Sequence, residues 1–142
     1  MQRRYQKIIE ESPAPEVDRE LINNMAQAAV KLSSDVKYEG AGTVEFIYDV
    51  QEMKYYFLEM NTRIQVEHPV TELVTNNDLI SMQINFAFNR KNKFLNQNKI
   101  KTYGHSIECR VYAEDPSQNF LPSPGKITKL KFPKIPNGIR LD

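Results

Sequence analysis

The stretch from Thr43 to Asn61 constrains this chain most, because apolar and polar residues alternate on both sides of a polar turn at Gln51–Met53, the pattern of two paired strands. On the first strand, Thr43 to Val50, one face carries Val44, Phe46 and Tyr48 and the other Glu45 and Ile47. On the return strand, Lys54 to Asn61, one parity holds Tyr55, Phe57, Glu59 and Asn61, the other Tyr56, Leu58 and Met60. A turn centred near Glu52 sets Glu45 directly opposite Glu59, with Asn61 two residues on. Like charges opposed across a strand pair repel, and a half-buried carboxylate is costly unless something positive stands between. A divalent cation is one resolution: Mg²⁺ or Mn²⁺ takes oxygen ligands, one or two of them carboxylates, and completes its shell with water and phosphate oxygens. A wet sheet face with two solvated carboxylates is the other.

The rest of the chain supplies helices and further strands. Ser12-Pro13 and Ala14-Pro15 impose an extended stretch, since a residue before proline avoids helical dihedrals. A helix capped by Asp18 follows, with Leu21, Met25, Ala28, Ala29 and Leu32 forming one apolar stripe that must pack on something. Pro69 opens a short helix through Val74, and Asn77-Asp78 caps another that runs to about Phe88. Asn89 to Lys101 holds four Asn and five Lys/Arg in thirteen residues, the composition of a solvated connection and a candidate boundary; a polyanion-binding patch is the rival reading. Gly104 to Tyr112 alternates His105, Ile107, Cys109 and Val111 against Ser106, Glu108, Arg110 and Tyr112. Leu121 to Gly125 reads as a turn, Lys126 to Phe132 as a strand, and Gly138 to Asp142 as the start of one more.

Composition closes off several functions. Nineteen Lys+Arg against eighteen Asp+Glu leave a net charge of +1, so no global pull toward nucleic acid or anionic membrane exists. Apolar runs stop at a few residues where a membrane helix needs about 20. The N-terminus lacks the apolar core of a secretory signal, which places the expected location in the cytoplasm or an organelle such as a plastid or mitochondrion. One cysteine, Cys109, excludes an internal disulfide and a cysteine-built zinc site.

A second cluster follows the hairpin directly: Arg63-Ile64-Gln65-Val66-Glu67-His68. A loop leaving a strand can aim such groups at one small ligand. Arg63 suits a planar oxyanion and Glu67 a general base beside it, although a simple Arg63–Glu67 loop ion pair accounts for the same letters. Arg110 beside Glu108 is by default an exposed cross-strand ion pair of little energetic value.

The run Glu59-Met60-Asn61-Thr62-Arg63-Ile64-Gln65-Val66-Glu67-His68-Pro69-Val70-Thr71-Glu72 closely resembles the signature loop of the biotin carboxylases, the ATP-grasp component of biotin-dependent carboxylases. Gln2-Arg3-Arg4, Gly40-Ala41-Gly42-Thr43-Val44-Glu45-Phe46, Glu108-Cys109-Arg110 with Ala113-Glu114-Asp115-Pro116, and Leu121-Pro122-Ser123-Pro124-Gly125-Lys126-Ile127 resemble further blocks of that family in the same order. The resemblance implies an α+β chain: a partial ATP-grasp fold, antiparallel sheet with flanking helices, over 1–88, the polar connection 89–101, and the opening of a biotin carboxylase C-terminal domain over 102–142. It implies that Glu45, Glu59 and Asn61 hold Mg²⁺ or Mn²⁺ on the phosphates of ATP, with Gln2 and Tyr5 on the nucleotide side. Lys7, Arg63, Gln65 and the backbone of Val66 would cradle hydrogencarbonate, Arg63 and Glu67 would act catalytically, with Glu67 taking the proton, and Arg110 would hold biotin. The implied partners are a biotin carboxyl carrier domain or protein and a carboxyltransferase, with a homo-oligomer for the full-length protein and no nucleic acid or membrane. The implied process is the first half-reaction of an acyl-CoA or pyruvate carboxylase, such as the acetyl-CoA carboxylase of fatty acid biosynthesis. Another ATP-grasp carboxylate ligase and a non-catalytic binding module are the alternatives. Tyr5 stands where many members have a histidine, and the hairpin loop looks two residues longer than in bacterial members. The resemblance also makes this an internal piece, expected to be inactive alone because the lid and most adenine contacts would precede it.

Overall fold

The computed structural model describes residues 1–89, 96–132 and 134–142. Much of the connection expected over 89–101 therefore lies outside the described residues. The chain divides into two compact units, Met1–Arg110 and Val111–Asp142.

The first unit opens with a tight hairpin of β1 (Gln2–Arg3) and β2 (Gln6–Lys7), turned by Arg4 and Tyr5 at φ 51° and 63°. Next come β3 (Ile9–Ser12) and α1 (Arg19–Asp35). The Asp18 side chain accepts from the N–H groups of Glu20 and Leu21, which satisfies two donors the first helical turn leaves over. The stripe on α1 was expected to pack: Leu21, Met25, Ala28, Ala29 and Leu32 are all half-buried, although no residue of α1 is fully buried.

The expected hairpin is present as β4 (Thr43–Asp49) and β5 (Lys54–Asn61), and its register departs from simple alternation in one place. Near the turn Tyr48 pairs with Tyr55 and Ile47 with Tyr56; beyond it Glu45 pairs with Glu59 and Thr43 with Asn61. The register shifts between Glu45 and Phe46, so β5 carries one extra residue, a β-bulge. Without it the turn register would set Glu45 against Leu58. Phe57 and Glu59 were expected on one face, yet Phe57 pairs with Phe46 and stacks edge-on at 6.4 Å between ring centroids, whereas Glu59 pairs with Glu45. The inserted residue reverses the parity of everything beyond it.

Gly42 lies where the backbone entering β4 meets Asn61. A Cβ there would come 3.3 Å from the Asn61 carbonyl, 3.1 Å from Met60 and 3.0 Å from Tyr38. Gly42→Val is expected to cost roughly 1–3 kcal/mol by overpacking, measured as a lowered urea midpoint.

Helix α2 (His68–Thr75) starts with Pro69 in its first turn and ends on Asn76 in the left-handed conformation; α3 (Leu79–Ala87) is capped by Asp78, whose carboxylate accepts from Ser81 N–H at 2.7 Å. The carboxylate of Glu72 on α2 also accepts from the N–H groups of Leu79 and Ile80, tying the two helices together. The last strand of this unit, β6 (Ser106–Cys109), pairs antiparallel with β3, Ile9 facing Cys109 and Ser12 facing Ser106. Among the described residues the buried apolar core is small, Pro69, Val70 and Val74 on α2, where that helix packs on the β3–β6 pair. Ser106, itself buried, donates its hydroxyl to the Val70 carbonyl at 2.8 Å.

In the second unit β7 (Glu114–Asp115) pairs with β8 (Leu121–Pro122) around a 3₁₀ turn at Pro116–Gln118. Leu121 and Pro122, expected in a turn, are thus a short strand. Lys126 to Phe132, expected as a strand, forms none: an isolated extended segment without a partner edge makes no ladder. Nor does Gly138 to Asp142, which turns at Asn137–Gly138. No helix among the described residues is long and apolar enough to cross a membrane.

Candidate active site

Four segments far apart in sequence meet at one side of the β4–β5 hairpin. Strand β2 contributes Lys7, β4 contributes Glu45, the loop after β5 contributes Gln65 and Glu67, and the residue after β6 is Arg110. Lys7 Nζ donates to Glu45 Oε1 at 2.9 Å and to Glu67 Oε1 at 2.8 Å. Arg110 Nη2 donates to the other oxygen of Glu67 at 2.8 Å. Glu45 Oε1 also accepts from Asn61 Nδ2 at 3.1 Å and Gln65 Nε2 at 3.3 Å. Asn61 Nδ2 reaches Glu59 Oε1 at 3.2 Å as well, so one amide spans the two opposed carboxylates.

These contacts set the charge states. The hydrogen bond from Lys7 holds the Glu45 carboxyl below the ordinary 4.5 against the opposing effect of burial. Burial works to raise Glu67, but the Lys7 bond and the charges of Lys7 and Arg110 prevail and hold it low. Lys7 is pulled down by burial and up by its bonds to Glu67 and Glu45, with a net rise above 10.5. Two carboxylates and two cations are therefore all ionised at neutral pH, an arrangement in which each charge depends on its partners.

Arg110 departs from its default as an exposed pair. Its side chain is 18% exposed and its guanidinium lies 2.6 Å from Glu10 as well as on Glu67. The alternation of 104–112 is present but its sense is reversed: Ser106 is buried and Ile107 59% exposed. The polar parity faces α2 because Ser106 binds the Val70 carbonyl and Arg110 binds Glu67.

Arg63, Val66, Gln2 and Tyr5 are not drawn into this cluster. Arg63 is exposed and donates to the carbonyl of Ile64, so the loop ion pair with Glu67 does not form. Val66 is 60% exposed and Tyr5 99%. Gln2 is exposed and pairs in register with Lys7. His68 Nδ1 lies 2.9 Å from the Gln65 carbonyl, which fastens the loop to the start of α2.

Sequence reasoning missed Glu10 and Glu108, which face each other across β3 and β6. The signal was present in the two acidic letters, but their pairing depends on a strand partner about a hundred residues away. Burial, then the charge of Glu10, pushes the Glu108 carboxyl above 4.5. A carboxyl raised by folding favours the folded state below its unfolded value, and that favour is lost as pH rises through the raised value. Glu108→Gln is therefore expected to stabilise the chain by about 1 kcal/mol at pH 7 and to leave it unchanged at pH 4, read from denaturation midpoints.

Among the described residues no three His, Cys, Asp or Glu gather as a metal cluster. The available donors are Glu45 and Glu59 in register with the Asn61 amide between them, a set of hard oxygen ligands once the amide turns its Oδ1 inward. Two carboxylates and one amide fit a cation that keeps water and phosphate oxygens in its shell. Gln65 is buried, and its Oε1 has no hydrogen-bond partner among the described residues. An orphaned acceptor in such a place is costly unless a ligand supplies the donor.

The chain is similar to known proteins along nearly its whole length. The family of the carbamoyl-phosphate synthase L chain, ATP binding domain, matches residues 1–94, and that of the biotin carboxylase C-terminal domain matches residues 108–142. Biotin carboxylase 1 of Bacillus subtilis is 55% identical over 142 residues, all of this chain and 31% of the relative. The mitochondrial methylcrotonoyl-CoA carboxylase subunit alpha of Mus musculus is 48% identical over all of this chain and 20% of its own length. Among solved structures, the biotin carboxylase of Campylobacter jejuni in complex with β,γ-ATP matches with TM-score 0.84 and 50% identity, over 96% of this chain and 30% of that one. The biotin carboxylase domain of Hydrogenobacter thermophilus 2-oxoglutarate carboxylase, with MgADP and bicarbonate, matches with TM-score 0.85 and 42% identity, over 94% and 29%. The chain thus spans about a third or less of these relatives.

Proposed function

The chain belongs to the ATP-grasp family of the carbamoyl-phosphate synthase L chain ATP-binding domain, among the biotin carboxylases, and from that premise we propose that it forms the hydrogencarbonate-activating part of an ATP-dependent biotin carboxylase. The observation that carries the reading is the convergence of Lys7, Glu45, Gln65, Glu67 and Arg110 from four separate segments. Relatives of this family bind MgADP and bicarbonate, as the Hydrogenobacter structure does.

In this reading Lys7 and the buried Gln65 amide receive hydrogencarbonate, with Gln65 Oε1 accepting from its hydroxyl and the backbone of Val66 and the side chain of Arg63 completing the cradle. Glu67 accepts the proton. Held low by two cations it is ionised but a weak base; an anion that draws Lys7 and Arg110 toward itself loosens that hold and raises its proton affinity, bringing it nearer the pKa that transfer requires. Glu45 and Glu59, with Asn61, hold Mg²⁺ or Mn²⁺, which when bound neutralises charge on the phosphates of ATP. Gln2 and Tyr5 stand on the nucleotide side. Arg110 binds biotin and stabilises negative charge that develops on its ureido oxygen, a preorganised donor of the kind that dominates such catalysis.

The biotin is carried on a carrier domain or protein, and a carboxyltransferase passes the carboxyl group on; acetyl-CoA carboxylation in fatty acid biosynthesis is one such setting, and the acceptor is chosen outside this chain. Residues 1–88 form the end of the ATP-grasp domain and 102–142 the beginning of the C-terminal domain. The chain alone is expected to hydrolyse no MgATP in response to biotin.

Paramagnetic broadening tests the reading. Mn²⁺ is expected to broaden the Asn61 side-chain amide before other Asn and Gln signals, with Glu59→Gln reducing the effect roughly tenfold in Mn²⁺ concentration. Hydrogencarbonate is expected to shift the Gln65 amide in the chain and not in Lys7→Met. Broadening spread evenly over surface carboxylates, together with an unmoved Gln65 signal, would overturn the assignment.

A further inference from the structure

The inner face of the β3–β6 pair sets Glu10 directly opposite Glu108, with Arg110 just beyond. Arg110 Nη2 stands 2.6 Å from Glu10 Oε1 and 2.8 Å from Glu67 Oε2, and the three side chains are little exposed, 11% for Glu10 and 18% each for Arg110 and Glu67. Two carboxylates thus act on one nitrogen. Glu67 accepts a hydrogen bond from Nη2, whereas Glu10 holds it as a close ion pair, its oxygens having no hydrogen-bond partner among the described residues; a planar guanidinium drawn at one nitrogen from two sides is constrained in its plane.

We propose that Glu10 is a positioning residue for Arg110: it shares the grip on Nη2 with Glu67, so that the guanidinium stays aimed while Glu67 accepts and releases a proton. The proposal rests on the reading of Arg110 as the biotin-holding group and of Glu67 as the base. Its logic lies in a division of labour. Glu67 loosens its hold on Arg110 whenever it is protonated, whereas Glu10, on β3, takes no part in proton transfer. Glu108 faces Glu10 across the strand pair. Its Oε2 is buried with no hydrogen-bond partner among the described residues. Burial, Glu10 and Glu67 disfavour its charged form, against the weaker pull of Arg110 and His68.

The test is ¹⁵N spectroscopy of the Arg110 guanidinium in the full 142-residue chain, assigned with Arg110→Lys. In the unsubstituted chain Nη1 and Nη2 are expected as separate signals, because rotation that exchanges them must break the double grip. Glu10→Gln is expected to speed that exchange by roughly tenfold, the effect of losing one close ion-pair contact. Glu10→Asp, which keeps the charge on a shorter arm, is expected to retain most of the separation and covers the case in which Glu10→Gln does not fold. Averaged Nη signals in the unsubstituted chain, or an exchange rate that Glu10→Gln leaves unchanged, would overturn the proposal. Added D-biotin separates the two readings: if exchange follows Glu10 as expected but biotin leaves the Arg110 signals unmoved, the positioning role stands and the biotin assignment falls.

Discussion

Lys7→Met is expected to destabilise the chain by about 2 kcal/mol at pH 7, because it removes the cation between Glu45 and Glu67 and leaves two poorly exposed carboxylates facing each other. Breaking a fully buried pair from one side costs about 3–5 kcal/mol; the Lys7 side chain is 32% exposed, and solvent screening reduces the figure accordingly. The pH dependence identifies the cause. Glu45 and Glu67 are held below 4.5, so the stability they contribute is present above that value and is lost as pH falls through their lowered values. Lys7 is held above 10.5, and its share is fully present below that value and lost as pH rises past the raised one. The substitution should therefore matter most between about 4.5 and 10.5 and little in acid. Urea denaturation at pH 7 and pH 3 measures it, and in a Glu67→Gln background the loss at pH 7 should shrink, the coupling expected of groups in one network. An undiminished loss at pH 3 would mean that the methylenes of Lys7, not its charge, support this region.

Val74→Asn is expected to cost about 3 kcal/mol or more, the largest effect of any single substitution considered for the first unit. Val74 is 2% exposed and shares the buried apolar core of the described residues with Val70 and Pro69. The substitution removes buried methyl groups and places an amide where no partner waits, two separate penalties. It also loosens α2, whose first residue follows Glu67, so the loop that carries Gln65 and Glu67 loses its anchor. Val74→Ala should cost roughly half as much, since it incurs only the first penalty. Thermal melts of both, with the Gln65 and Asn61 amide signals followed in parallel, test the linkage: equal costs for Ala and Asn would show that the site is not sealed.

Local grammar made several elements legible. The caps at Asp18 and Asp78, Pro69 at the start of α2, and the two strands around Gln51–Met53 all follow from interactions within a few residues, and each appears within a residue or two of its expected place. The opposition of Glu45 and Glu59 was legible too, though by a route that sequence parity does not contain. The turn alone offsets the strands by one residue, and a bulge restores the pairing while reversing the parity of Phe57. A bulge is decided by packing along both strands, here the Phe46 ring against Tyr55 and Phe57, rather than by any one letter.

What the sequence by itself determined is the set of helices, the hairpin and the motif that names the chemistry. Only the tertiary structure decided which charges meet. Lys7 reaches Glu67 across sixty residues of chain, Arg110 reaches Glu67 across forty-three, and Glu10 faces Glu108 through a strand pair that no local signal announces. It also decided that the polar side of β6 turns inward and leaves Ile107 bare. The physical reason is one of range: caps, turns and periodicity act between neighbours in the chain. The sense of a strand and the partners of a buried charge depend on which distant edge supplies the hydrogen bonds and counter-charges.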